Sequence, residues 1–152
     1  MLLTDLLTPD RIRIPLLSDS KDDLLHELVE IVAGTAAVEN PADILRAVRE
    51  REAVLSTGIG HGVAIPHGKS PTVSEIVLAA GVSRNPVDFE ALDGRPVRLF
   101  FLLVGPDSAA GQHVKVLSRV SRLLRRESTR KSLVEAASAE EFYSILAGAE
   151  LS

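Results

Sequence analysis

The chain of 152 residues has no cysteine and no tryptophan, and its one tyrosine and four phenylalanines leave aromatics at 3%. Without cysteine there is no disulfide, no thiolate metal ligand and no cysteine nucleophile, a composition that matches a reducing compartment. Scarce aromatics remove the stacking platforms on which sugars and single-stranded nucleic acids lie. The net charge of −4 supplies no field that points to nucleic acid or to an anionic membrane. Long apolar runs are missing too. The longest, Leu99 to Val104, falls far short of the roughly 20 residues that a bilayer helix needs. The opening Met-Leu-Leu is soon broken by Asp5, Pro9 and Asp10, and it lacks the basic start and apolar stretch of a secretion signal. We therefore expect a cytoplasmic protein with no membrane insertion and no nucleic-acid partner.

What is present fits one globular domain over residues 1–152. Hydrophobic residues make up 45% of the chain, enough to fill a single core. Leu2 to Leu7 reads as one short helical turn. Ile12, Ile14 and Leu16 alternate with Arg11, Arg13 and Pro15, which predicts a short edge strand, because Pro15 cannot donate to a ladder. Ser20 or Asp19 caps a helix whose Leu24, Leu25, Leu28, Ile31 and Val32 recur at helical spacing, with Gly34 as its stop. Asn40-Pro41 opens a second helix carrying Ile44, Leu45, Val48 and Leu55 as far as Gly58. A short extended stretch, Val63 to Pro66, follows. Strands are expected over Ile76 to Val82 and Val97 to Val104, with turns between them at Asn85-Pro86 and Asp93-Gly94. Asp107 or Ser108 caps a helix through Val116, Val120 and Leu124, and Ser138 with Glu141 forms a capping box before the last helix. Helices and strands interleave, so the expected fold is α/β: a central mixed sheet flanked by helices on both faces.

The glycines of Ser56 to Lys69, STGIGHGVAIPHGK, first suggest a nucleotide loop. A dinucleotide fingerprint follows a strand and opens a helix; here a helix precedes and an extended stretch follows. Gly68-Lys69-Ser70 resembles the end of a phosphate-binding loop, but the required first glycine falls on Val63, and Pro66 removes an N–H from the cradle. Metal is the next candidate. Residues 61 to 67, if extended, span roughly 20 Å at about 3.3 Å per residue, which separates His61 from His67 too far for one zinc. His67 with His113 lacks a clear third ligand. No cofactor or metal is expected.

His67 lies between Pro66, which fixes the chain's approach, and Gly68, which removes bulk beside the ring. An imidazole with a pKa near 6.5 keeps a neutral nitrogen at cell pH that can attack phosphorus and later leave. Arg51 shares a helical face with Ile44, Val48 and Leu55. A guanidinium on such a stripe is either a snorkelling or C-terminal cation or a fork for phosphoryl oxygens. His113 shares a face with Leu117, Val120 and Leu124 in the first turn of its helix, where it is either a core-edge histidine or a donor to a bound anion. His26, beside Glu27 and Glu30, reads as solvated. The run Arg119, Arg122, Arg125, Arg126, Arg130 and Lys131 reads as a solvated helix face or a dock for an acidic partner.

The stretch from Arg51-Glu52 through STGIGHGVAIPHGK, then FEALDGRPV over residues 89–97, the strand Leu99 to Val104 and Gln112-His113 resembles the type-2 IIA domains of the bacterial phosphotransferase system (PTS). These are the fructose–mannitol class, and the nitrogen-regulatory and fructose-type members are nearest. The resemblance covers nearly the whole chain. It implies a phosphocarrier in which His67 is the residue phosphorylated at Nε2 (tele-phosphohistidine), with Arg51 and His113 as active-site partners. It further implies an HPr-type donor, charged from phosphoenolpyruvate through enzyme I, and a IIB domain or regulatory target as recipient. His61 stands where regulatory members often carry asparagine, and its role stays open.

Overall fold

The computed structural model describes residues 2–152. All of its elements are organised by one mixed sheet. Its strands are β1 (Ile12–Leu16), β2 (Gly58–Gly60), β3 (Val63–Ala64), β4 (His67–Lys69), β5 (Val77–Val87) and β6 (Val97–Gly105). The order is β1-β5-β6-β3-β2, and β4 also pairs with β6. β5 and β6 form the antiparallel centre, while β1 joins β5 and both β3 and β4 join β6 in parallel. The helices are α1 (Lys21–Ala33), α2 (Pro41–Val54), α3 (Ala110–Leu123), α4 (Glu127–Val134) and α5 (Ala139–Leu151), with short 3-10 turns at Leu3–Asp5, Pro9–Arg11 and Asp107–Ala109.

The period-2 geometry of the central strands splits the core in two. Val77 and Ala79 of β5, with Phe100, Leu102 and Val104 of β6, pack against α1 and α2. The alternate residues Leu78, Ala80, Leu99, Phe101 and Leu103 pack on the other face against α3, α4, α5 and the N-terminal turn. Both faces being covered explains why Leu99 to Val104 is uniformly apolar rather than alternating. The expected α/β fold, a mixed sheet between helices, is the fold observed.

Several local expectations hold in detail. β1 is an edge strand containing Pro15. Ser20 Oγ accepts from the Asp23 N–H at the start of α1, and Gly34 is its C-cap. Ser138 Oγ likewise accepts from Glu141 N–H, although the Glu141 carboxylate reaches back to Ala137 rather than to the cap residue itself.

Others are corrected. α2 ends at Val54, short of Gly58. β5 continues through Asn85-Pro86 as far as Val87. The expected turn is instead an irregularity in register between Val82 and Val87, with Ser83 Oγ donating to the Asn85 carbonyl at 2.7 Å. Pro86 is tolerated because the ladder is already interrupted there. The chain reverses later, at Asp93-Gly94, where Gly94 has φ 72° and its N–H bonds the Ala91 carbonyl. Neither Asp107 nor Ser108 caps α3. They form the 3-10 turn before it, and Ala109 occupies the cap. α4 has no counterpart in the sequence reading, because only Thr129 and Leu133 of its eight residues are buried and so small an apolar stripe leaves no periodic signal.

Candidate functional site

β3 and β4 are two pieces of one extended run along β6. Val63 lies opposite Leu99 and His67 opposite Leu103, a constant register across the Ile65-Pro66 interruption. The run begins after a tight turn in which Gly60, His61 and Gly62 all have positive φ. His61 is exposed there, and its backbone N–H donates to Asp93 Oδ2 at 3.1 Å. His61 and His67 therefore sit at opposite ends of an extended segment. Among the described residues no group of three or more His, Asp or Glu side chains is arranged to hold a metal ion.

The run's far end is a sheet margin: β4 has only β6 as a partner strand. Gly68 turns toward α2, where an added Cβ would come within 2.9 Å of Val48 Cγ2 and 3.0 Å of Val48 N. Its missing side chain thus serves close approach of β4 to α2, rather than space beside the imidazole. His67, the neighbour in the pleat, faces the other way and meets His113 of α3, with ring centroids 5.6 Å apart in an edge-to-face arrangement. Because His67 lies at the margin, helices from both faces of the sheet act on it: α2 brings the charge of Arg51, and α3 brings the ring of His113.

The His67 ring is oriented by Nδ1, which lies 2.9 Å from the Ile65 carbonyl. A carbonyl can only accept, so Nδ1 carries the proton and Nε2 keeps the lone pair. Burial holds the His67 pKa below the ordinary imidazole value. The Arg51 and Lys69 charges push the same way, while the Ile65 bond and the Glu52 charge oppose them. The ring is neutral at physiological pH, with its lone pair on Nε2.

Arg51, in the last turn of α2, donates from Nη1 to the Leu55 carbonyl at 2.9 Å. It therefore serves as a C-terminal cation of α2, the first of the two sequence readings, while its charge acts on His67. His113 is only 3% exposed, and neither of its ring nitrogens has a hydrogen-bond partner among the described residues. Burial, with smaller contributions from His67 and Lys69, pushes its pKa down to about 4. A neutral buried imidazole must still carry one N–H, and here the ring that carries it stacks edge-to-face with His67.

One buried residue of the site escaped sequence reasoning. Glu52, 6% exposed, sits one residue from Arg51 and accepts from Thr57 N–H at 2.9 Å and from the Thr57 hydroxyl. Its remaining contact is Lys21 Nζ at 3.0 Å. Within a helix of alternating Arg and Glu residues, Glu52 carries no distinguishing local pattern; only the tertiary packing buries it. His26, by contrast, pairs with Glu30 on the exposed side of α1 as expected. The basic run is dispersed over α3 and α4. Arg119 pairs with Glu150, Arg126 meets Ser152, and Arg130 donates to the Leu124 and Arg125 carbonyls at the end of α3.

Fold and site together define a class: an α/β protein that presents a neutral histidine, with a cation and a second histidine at hand, on the margin of a mixed sheet. The chain belongs to the EIIA type-2 family of the phosphoenolpyruvate-dependent sugar phosphotransferase system, whose model matches residues 5–149. Proteins of this family are carriers in phosphoryl transfer. The chain is 40% identical over 148 residues to a nitrogen regulatory protein of Bradyrhizobium diazoefficiens, covering 97% of this chain and 95% of that one. It is 37% identical over 146 residues to the PTS fructose-specific EIIABC component of Bacillus subtilis, covering 96% of this chain but only 23% of that much longer protein. Among solved structures, the nitrogen regulatory protein IIA-Ntr of Neisseria meningitidis superposes with a TM-score of 0.89 at 36% identity, covering 95% and 98% of the two chains. The mannitol IIA of Escherichia coli, solved in complex with phosphorylated IIB, shares the fold with a TM-score of 0.81 at 21% identity over 93% of this chain and 97% of that one. No helix among the described residues is long and apolar enough to cross a membrane.

Proposed function

We propose that residues 1–152 act as one phosphocarrier unit that accepts a phosphoryl group on Nε2 of His67 and passes it to a second protein. The observation that carries this reading is the Nδ1–H bond to the Ile65 carbonyl, which leaves Nε2 as the nucleophile of a ring kept neutral by burial. In the transfer, the donor's N–P bond breaks as the Nε2–P bond forms, and the departing donor nitrogen takes back the electron pair. Charge spreads over the equatorial oxygens as this happens. Catalysis is then a matter of position and electrostatics. Arg51 balances that charge, and the N–H of His113 gains in a phosphoryl oxygen the acceptor it lacks in the protein.

Family membership points to an HPr-type donor, charged from phosphoenolpyruvate through enzyme I, and to a IIB domain as recipient. Leu55 and Leu92, 57% and 63% exposed, line one groove beside Arg51 and give such a partner an apolar foothold. Incubation with phosphoenolpyruvate, enzyme I and HPr is expected to add one acid-labile phosphate. His67→Ala is expected to take none; labelling of that variant would overturn the assignment.

A regulatory role is the second reading, favoured by the match along 95% of a nitrogen regulatory protein. Phosphorylation adds up to about two negative charges at one surface position, enough to create or block an interface. Protein partners retained by the phosphorylated and unphosphorylated forms are then expected to differ. Identical partners with identical affinities would remove this reading.

A further inference from the structure

The ring of His67 is not oriented by its immediate neighbours alone. Its Nδ1–H is received by the Ile65 carbonyl, and that carbonyl has to be held in turn. The Ile65 N–H donates to the Thr57 carbonyl at 3.0 Å. Thr57, 5% exposed, is gripped by Glu52 through both its N–H, at 2.9 Å, and its hydroxyl. Pro66 fixes φ at the joint between Ile65 and His67, so the position of residue 65 passes directly to the imidazole. Buried carboxylates need compensation. Here it comes from Lys21 at 3.0 Å, a side chain that also lies 4.8 Å from the centre of the Phe89 ring.

We infer that Glu52 is the positioning residue of the phosphoryl-accepting histidine: through Thr57 and Ile65 it fixes the Nδ1–H tautomer of His67 and aims Nε2. This rests on the reading of His67 as the acceptor. Glu52 touches neither the ring nor a phosphoryl group. It acts by fixing Thr57, whose carbonyl receives the N–H of the residue that carries the orienting carbonyl. Lys21, from the first turn of α1, is the partner that the buried Glu52 carboxyl meets at 3.0 Å. The chain of contacts runs from α1 through α2 and the Ser56-Thr57 link to the sheet margin. Histidines that must present one nitrogen in a defined direction are commonly held through the other by such an outer layer of bonds, and loss of that layer costs roughly 10-fold or more in function.

The test is made on the full chain with wild type, Glu52→Gln, Thr57→Ser and His67→Ala, all with nitrogen-15-labelled histidine. Long-range proton–nitrogen spectra identify the His67 tautomer, with His67→Ala supplying the assignment, and transfer from phospho-HPr gives kcat and KM. Wild type is expected to hold the proton on Nδ1. Glu52→Gln is expected to mix the tautomers and to lower kcat roughly 10-fold with little change in KM. Thr57→Ser, which keeps both donors to Glu52, is expected to resemble wild type in both readouts. A folded Glu52→Gln protein with an unmixed Nδ1–H tautomer and unchanged kcat would overturn the inference. Should Glu52→Gln not fold, a Thr57→Val variant, which removes the hydroxyl bond alone, takes its place with a smaller loss of kcat expected, and an unshifted tautomer with unchanged kcat there would equally overturn it. Phosphate uptake by His67→Ala would overturn the acceptor assignment instead, while the tautomer spectra would still report on the relay.

Discussion

A buried imidazole with both nitrogens unbonded, as in His113, costs about 1–3 kcal/mol relative to a satisfied or apolar group. Such a cost at a site of chemistry is the usual mark of a group kept for function at the expense of stability. His113→Leu is therefore expected to leave stability unchanged or raise it by about 1 kcal/mol, while slowing phosphoryl acceptance by His67. The two effects are separated by thermal unfolding and by transfer from phospho-HPr. The pH dependence adds a sharper sign. His113 has a folded pKa of about 4 against about 6.5 in the unfolded chain, so the unfolded state binds more protons between those values. Stability must then fall as pH drops from about 6.5 toward 4. The Leu variant is expected to lose that part of the slope. A variant that keeps the full wild-type slope while losing stability would show that the ring is satisfied in the fold.

At the scale of the element, the site depends on how closely β4 lies on α2. Gly68 permits that approach, since a Cβ would meet both the side chain and the backbone nitrogen of Val48. Backbone cannot yield as a flexible side chain can. Gly68→Ala is therefore expected to destabilise the protein by about 1–3 kcal/mol and to slow phosphoryl transfer by moving His67 relative to Arg51. Denaturant unfolding and transfer rates test this, and a variant with native stability would show that β4 has room to shift. Local residue chemistry made many of these elements legible. Ser20 and Ser138 mark helix starts because a short side-chain oxygen can satisfy an orphan N–H. Asp93-Gly94 marks a turn because Gly94 takes a positive φ without strain. Asn85-Pro86 misleads for the same reason that it informs: both residue types disfavour a ladder, whether the chain turns or merely breaks register. α4 was invisible because its anchoring is tertiary, resting on two buried residues.

At the scale of the whole molecule, two apolar layers on one sheet hold the strands, and the candidate site sits where that sheet runs out. Phe100 and Phe101 are adjacent in sequence yet belong to opposite layers, so β6 serves both halves of the core at once. This double burial removes the alternation that would otherwise announce a strand, but it also fixes β6 as the rigid rail along which residues 63–69 are laid. The margin is the one part of such a sheet that helices on both faces can approach together. For that reason the charge of Arg51 and the ring of His113, 62 residues apart by their numbering, both act on His67 there.

The sequence by itself determined the fold class and the identity of the candidate nucleophile. Periodicity, turn chemistry and the AIPHGK segment are local properties, written in neighbouring residues. Only the tertiary structure decided which nitrogen of His67 faces the Ile65 carbonyl, that His113 is buried with no hydrogen-bond partner among the described residues, and that Glu52 is buried against Thr57. Those properties depend on contacts between segments far apart in the chain, and burial, hydrogen-bond satisfaction and pKa exist only once those segments are packed.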